Sequence, residues 1–311
     1  MCGASGFIGR NIYEHLSLRD DLEVFGTYRT NAFSQDRNLI RADLTDRRDV
    51  DAVCRGMDVI IQAAAVTSGS KDIVTKPYIH ITDNLIMTSL LCQAAFDHHV
   101  KQFIFPSCTV LYPPNTGVGL REIDMDTHAI HEKYFGGAWL KIYLEKLCEF
   151  YSRMDRTVFT VIRHSNIYGP YDKYDLERSH VFGATMTKVM RAKDGDTLTV
   201  WGDGQETRDL LHVDDMVRFV EMVLNKQDYA FDVFNIGLDK ETSIKELAEK
   251  IINASGKRLS IAFDATKPTI PTKLFLNSEK AEKKFNWRPS ITLEDGIART
   301  IEWYKQNIRE L

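Results

Sequence analysis

The strongest constraint in this sequence is an alternation. Short runs of β-branched and aromatic residues, EVFGTY, NLIRADL, MDVIIQAAA, QFIFPS and TVFTVIR, are separated by stretches with helical periodicity over the first two-thirds of the chain. Strands joined through helices run parallel, and a parallel sheet must be covered on both faces to be buried. The fold class expected is therefore α/β, a doubly wound parallel sheet, with helices over 78–98 and 140–154 among its cover. Beyond about residue 170 the pattern changes to a Tyr/Asp/Lys-rich loop, a helix at 181–192, the strand-like TLTVWG, and helices at 244–255 and 293–306. This divides the chain into a larger domain at 1–170 and a smaller C-terminal lobe at 171–311, with 205–240 returning to the larger domain.

A chain of 311 residues with 43% hydrophobic and 27% charged residues and a formal net charge of -4 has the composition of an ordinary soluble globular protein. It carries no basic excess that would suit nucleic acid. No apolar run approaches the ~18 residues of a membrane span, and the N-terminus has no basic region followed by a hydrophobic core, so a cytoplasmic location is expected. Cys2, Cys54, Cys92, Cys108 and Cys148 are odd in number and scattered, which matches neither a disulfide framework nor a metal cluster. They are read as thiols, and no metal site is expected.

GASGFIG, residues 3–9, runs straight into the helical pattern FIGRNIYEHL. Glycines at a strand-to-helix turn allow close approach of a pyrophosphate, whose charge then rests on the helix N-terminus. Gly3, Ser5, Gly6, Phe7, Ile8 and Gly9 are thus candidates for holding a dinucleotide. A strand should precede Gly3, yet only Met1 and Cys2 do. Either the sequence begins a few residues late, which we favour, or the first strand is very short. After the second strand, Arg29 stands where an NAD-binding protein usually has an acidic ribose ligand, which leans the cofactor toward NADP, with NAD as the alternative. Asp43, Leu44, Ala63, Ala64, Ala65 and Asn84 fall at strand ends or on the following helix, where adenine and ribose would lie. Asp43 also has the spacing of a turn or cap residue.

GASGFIG, ADLTD, QAAA, the Asn84 helix, Lys141, RHSNIYGP and TRDLLHVDD, in this order, resemble the extended short-chain dehydrogenase/reductase family. The resemblance implies a Rossmann-type dinucleotide-binding domain and a substrate-binding lobe for a nucleotide-diphosphate sugar, with a GDP-sugar favoured. It implies a homodimer built on a four-helix interface from 78–98 and 140–154. It also places Lys141 on the nicotinamide ribose, His180 as a proton-transfer group, and Asn166, His180, Lys188, Trp201, Arg208 and Lys273 at the substrate. Two of these have independent logic: a guanidinium at 208 suits a diphosphate, and an amide at 166 suits sugar hydroxyls.

The same resemblance exposes what is missing. A tyrosine four residues before Lys141 would sit on the lysine's helical face, but YFGGAWLK has Gly137 there. Where a serine or threonine should hydrogen-bond the reacting oxygen stands Cys108, flanked by Ser107 and Thr109, so a hydroxyl is still expected to reach the site and Ser107 is a catalytic candidate. A second proton-transfer cysteine would fall on Val110. Candidate replacements are Cys108, Tyr134, His131 or water near Gly137, with the two glycines read as a pliable loop. The expected activity is an epimerase/reductase of a 4-keto-deoxyhexose nucleotide in surface polysaccharide synthesis. The alternative is a family member that binds cofactor or nucleotide sugar without turnover.

Overall fold

The computed structural model describes residues 1–308 apart from 68, 155, 227 and 268. Positions 309–311 of the expected C-terminal lobe lie outside the described residues. The strands in chain order are β1 (Gly26–Tyr28), β2 (Leu39–Arg41), β3 (Val59–Ile61), β4 (Gln102–Pro106), β5 (Asn115–Leu120), β6 (Val158–His164), β7 (Asn166–Tyr168), β8 (Thr197–Trp201), β9 (Thr207–Arg208), β10 (Leu210–His212), β11 (Phe231–Ile236), β12 (Thr242–Ser243), β13 (Ser260–Asp264) and β14 (Lys273–Leu276). The helices are α1 (Phe7–Leu16), α2 (Arg47–Cys54), α3 (Ser70–Thr75), α4 (Thr82–Asp97), α5 (Phe135–Ser152), α6 (Val181–Arg191), α7 (Val213–Leu224), α8 (Ile244–Ser255), α9 (Glu279–Phe285) and α10 (Leu293–Asn307).

The sheet is parallel, in the order β11-β6-β4-β3 on one side and β1-β2 on the other. Met1 and Cys2 join the two halves. Cys2 N–H donates to Ile61 O at 2.9 Å, Ala63 N–H to Cys2 O at 3.2 Å and Thr27 N–H to Met1 O at 2.9 Å, with a parallel bridge between Cys2 and Gln62. The strand expected before Gly3 is thus present in its shortest form, two residues long. The chain reverses its direction of travel across the sheet between that strand and β3, the crevice where doubly wound folds bind ligands.

Alternation along the strands explains the cover. Ile60, Phe103, Phe105, Phe159 and Val161 face one core with Val50 and Cys54 of α2, Leu91 and Cys92 of α4, and Leu144 and Cys148 of α5. Ile61, Ile104, Ile162, Phe234 and Ile236 face the other, with Ile12 and Leu16 of α1 and Met216, Phe219 and Val220 of α7. Successive side chains of a strand point to opposite faces, so each strand feeds both layers. A third core, outside the sheet, joins α6, α8 and α10 to β8.

Two expected helices differ at their starts. The one expected at 78–98 opens with a 3₁₀ turn at Pro77–His80 and becomes α-helical only at Thr82. Proline fits that first turn because it needs no N–H partner there. The one expected at 140–154 begins at Phe135, so Gly136 and Gly137 lie inside its first turn and the reading of a pliable glycine loop is corrected.

Candidate active site

Gly3 ends the two-residue strand with φ of 76°. A Cβ on Gly3 would lie 2.6 Å from Ala64 Cα, and one on Gly9 would lie 2.1 Å from the Gly3 carbonyl oxygen. Neither contact is sterically possible, so this turn closes against the 63–65 segment and against α1 only as glycine. Thr27 Oγ1 accepts the Gly3 N–H at 3.0 Å, and Gly3 O accepts the Gly6 N–H at 3.0 Å. α1 then starts with no side-chain cap and no acidic residue in its first turn. Its leading N–H groups, on Phe7, Ile8 and Gly9, present positive partial charge next to exposed Ser5 and Gly6. A close-packed glycine cradle under a bare helix N-terminus fits a dinucleotide pyrophosphate.

At the far side of the crevice, Asp43 accepts the Thr45 N–H at 3.0 Å and the Thr45 hydroxyl at 2.7 Å. These bonds, with Arg29 nearby, hold its carboxyl below the usual range. Arg29 approaches Asp43 at 3.4 Å and Asp83 at 3.7 Å, and all three are exposed enough to exchange partners with a ligand. Two residues expected at the cofactor have side chains committed elsewhere. Leu44 is 5% exposed and packs in the α2–α4 core. Asn84 accepts the Val66 N–H at 2.8 Å and donates to Val66 O at 3.0 Å and His80 O at 2.7 Å, so its amide is spent on fastening the segment after Ala63, Ala64 and Ala65 to α4.

α5 carries the expected catalytic face. A Cβ on Gly137 meets nothing within 4 Å. One turn on, Lys141 donates to Pro106 O at 3.1 Å, at the carboxyl end of β4, and its ammonium lies 4.6 Å from the Phe105 ring centre. One turn further, Glu145 is buried in an ion pair with Arg163 at 2.7 Å. Ser107 donates its hydroxyl proton to this glutamate at 2.6 Å, and the residue is 1% exposed. The expectation that Ser107 offers a free hydroxyl is therefore corrected: its proton is committed below the site. Cys108, half-buried, stays at the site; burial pushes its thiol up, and the Lys141 charge opposes that.

The opposite wall comes from β6 and the C-terminal lobe. His164 Nδ1 lies 2.7 Å from Ser165 O, which can only accept, so Nδ1 carries the proton and Nε2 is left as an acceptor. Burial lowers this imidazole to about 4, and the charge of Lys141 acts in the same direction. His180 caps the start of α6 with no side-chain capping bond. The residue is exposed at the surface, yet the protein packed around its imidazole lowers it, and Lys173, His80 and Arg208 add to the lowering. Both rings are neutral near pH 7. Arg208 donates to Glu206 at 2.9 Å, Ile270 O at 3.2 Å, Thr207 O at 2.7 Å and Thr272 Oγ1 at 2.9 Å. Its acidic partner is Glu206 rather than the neighbouring Asp209, which is buried and accepts the N–H groups of Leu238 and Leu276.

Lys141 thus acts on Cys108 and His164, Arg208 on His180 and Tyr134, and Cys108 on Tyr134, which links these residues in a chain of neighbours. The other expected substrate residues have contacts of their own. Lys188 donates to Thr199 O at 2.9 Å and lies over the Trp201 ring at 5.6 Å. Asn166 bonds Asp209 O at 3.2 Å through its amide. Lys273 is exposed on β14 opposite Asn115. His164 was not among the expected site residues. The signal that finds it is a histidine at the carboxyl end of a parallel strand in RHSNIYGP.

The profile of the NAD dependent epimerase/dehydratase family matches residues 1–237. The GDP-L-fucose synthase of Sinorhizobium fredii is 30% identical over 314 aligned residues, spanning 100% of this chain and 96% of its own. The GDP-L-colitose synthase of Yersinia pseudotuberculosis is 26% identical, over 98% and 96%. The solved UDP-glucose 4-epimerase of Thermotoga maritima shares the fold with a TM-score of 0.86, at 24% identity over 99% of this chain and 98% of that one.

Proposed function

This chain belongs to the NAD dependent epimerase/dehydratase family, and from that premise we propose that it is an NADP-preferring epimerase/reductase of a GDP-linked 4-keto-deoxyhexose, serving surface polysaccharide synthesis in the cytoplasm. The observation that carries the reading is that Lys141, Cys108, His164, His180 and Arg208 are linked electrostatically at the carboxyl ends of the parallel strands, the ends at which the glycine cradle also opens. Gly3, Ser5 to Gly9, Asp43 and the 63–65 segment would hold the cofactor, with Arg29 toward a 2′-phosphate and Lys141 at the nicotinamide ribose. The bound cofactor supplies or accepts hydride at the sugar carbon.

The chain's own groups have separate tasks. Arg208 pairs with the diphosphate in place of Glu206. His180 and His164, neutral at working pH, are proton acceptors, and either can take the proton from the carbon that epimerises beside a ketone. Exposed Phe135, Trp139, Tyr143 and Phe150 of α5, with Ile86 of α4 and Tyr78, form an apolar face that supports a homodimer through these two helices.

The test mixes the chain with NADPH and a GDP-4-keto-deoxyhexose, following loss of NADPH absorbance, and measures GDP-sugar and UDP-sugar affinities by calorimetry. Oxidation of NADPH with tighter GDP-sugar binding is expected. Normal binding with no oxidation would establish the second reading, a binder without turnover, which the open position at Gly137 and the committed hydroxyl of Ser107 favour.

A further inference from the structure

The fold gives no packing reason for Gly137. Gly3 and Gly9 are forced by backbone contacts, and Gly136 would bring a Cβ within 3.2 Å of Ile81, yet Gly137 faces open space on the Lys141 side of α5. Two glycines in one helical turn cost stability relative to alanine. A helical side chain covers the surface over the turn N-terminal to its own Cα. A side chain at 137 would therefore reach back toward the turn that ends at Tyr134, which carries a phenol of its own.

Tyr134 ends the short 3₁₀ turn Glu132–Tyr134 and caps α5. The turn is held at two points. Lys133 donates to Thr269 O at 2.9 Å, and the His131 ring packs 5.7 Å from the Tyr134 ring. Arg208 grips the same 269–272 segment through Ile270 O and Thr272 Oγ1. The two tethers bring the phenol and the guanidinium to one wall. The ring is half-buried, and its hydroxyl forms no hydrogen bond among the described residues.

Resting on the epimerase/reductase reading, we propose that Tyr134 is the catalytic acid of this chain, donating its phenolic proton to the sugar carbonyl oxygen from one helical turn ahead of the glycine. In the reductive direction the carbonyl π bond breaks, carbon gains hydride from the reduced nicotinamide, and oxygen gains the proton from the Tyr134 O–H bond. The phenolate is then reprotonated from solvent. Burial raises the Tyr134 phenol above its ordinary value, and among its neighbours Arg208 acts the other way, so the arginine is the cation that favours the phenolate. Lys141, docked on Pro106 O, is thereby left to the cofactor side.

The experiment uses the full chain, its Tyr134→Phe variant and the double variant Tyr134→Phe/Gly137→Tyr, with GDP-4-keto-6-deoxymannose and NADPH. Tyr134→Phe is expected to lower kcat by ~10² or more, the range for a positioned acid, while leaving KM and calorimetric GDP-sugar affinity close to the wild type. The added tyrosine of the double variant is expected to restore most of the rate. Independently of turnover, ultraviolet difference titration is expected to show one phenol whose ionisation shifts to higher pH when GDP occupies Arg208, and to lose that signal in Tyr134→Phe. Wild-type kcat in a folded, ligand-binding Tyr134→Phe, or an unchanged titration difference, overturns the proposal alone. Absence of turnover by the wild-type chain that still binds GDP-sugar overturns the epimerase/reductase reading, and this assignment with it.

Discussion

Replacing Glu145 by glutamine tests the scaffold beneath the site. Glu145 and Arg163 are each 5% exposed, and their contacts run at 2.7 Å from Nη2 and at 3.1 and 3.2 Å from Nε. Ser107 adds its hydroxyl at 2.6 Å. The remaining guanidinium nitrogen donates to the Tyr112 hydroxyl and to Glu122 O, each at 2.9 Å. Glutamine keeps the volume but turns one carboxylate oxygen into a donor facing other donors, and it leaves a buried cation without a counter-charge. Such a loss costs ~3 to 5 kcal/mol, much of it the penalty of the stranded arginine. Against a total stability of roughly 5 to 15 kcal/mol this is a severe change. The site should also suffer, because the pair fastens α5 to β6 one turn from Lys141 and holds Ser107 next to the Pro106 carbonyl that receives the lysine. Urea denaturation followed by tryptophan fluorescence measures the first effect, and NADPH affinity the second. The double variant Glu145→Gln/Arg163→Met removes the stranded charge and should recover more than half of the loss. A cost below ~1 kcal/mol for Glu145→Gln would refute the reasoning, since exposed pairs show values of that size.

Two further outcomes follow from the same geometry. Asp209 is fully buried and its carboxyl is raised from 3.8 to about 7, chiefly by burial and against the N–H groups of Leu276 and Leu238. Its protonated form is thus favoured in the folded chain, a contribution that is complete below pH 4 and disappears as pH rises through 7, to a limit of ~4 kcal/mol; thermal denaturation from pH 4 to 8 should fall less steeply in Asp209→Asn, and parallel curves would contradict this. Gly9→Ala, whose Cβ would meet Gly3 O at 2.1 Å, should lower both melting temperature and dinucleotide affinity, whereas Gly137→Ala, in open space, should stabilise the chain by ~0.5 to 1 kcal/mol; the same pair of melting curves and calorimetric titrations checks both, and equal effects at the two glycines would be the contrary result.

How much of this was legible in the sequence depended on the distance between partners. The five strands and the glycine cradle are signalled by local patterns, and each appears where it was expected, with boundaries drawn in toward the residues that actually pair. The two-residue strand before Gly3 carries no period of its own and exists through bonds to Ile61, Ala63 and Thr27. Ser107 and Asn84 were read by position, as site residues. Their roles were set by partners 38 and 18 residues away, Glu145 and Val66, which no spacing rule reveals. Gly136 and Gly137 read as a loop on propensity, because two glycines disfavour a helix. The helix forms regardless, since Ala138, Leu140, Ile142, Leu144 and Cys148 bury one of its faces, and burial of that size outweighs ~1 kcal/mol per glycine.

The distribution of charge ties the cleft to its ligand. Over the whole chain acidic residues exceed basic ones, giving the net charge of -4, and the scaffold's buried charges are matched in pairs such as Glu145 with Arg163 and Asp215 with Arg218. In the cleft the balance is reversed. Lys141 is held by a carbonyl and a ring face rather than a carboxylate, and Lys173 is held by Thr67, while the carboxyl next to it, Asp172, is raised to about 7 by burial and so only partly charged. Burial is what chiefly lowers His164 and His180, and the neighbouring cations, Lys141 for the first and Lys173 for the second, add to it. The positive field therefore reinforces what burial begins. A diphosphate bound as proposed would supply counter-charge there and remove the part of the lowering that the cations contribute. On the proposed function, diphosphate binding and imidazole proton affinity are coupled: the bound anion raises the proton affinity of His164 and His180 by the share that neighbouring cations hold, and leaves the larger share, set by burial, in place.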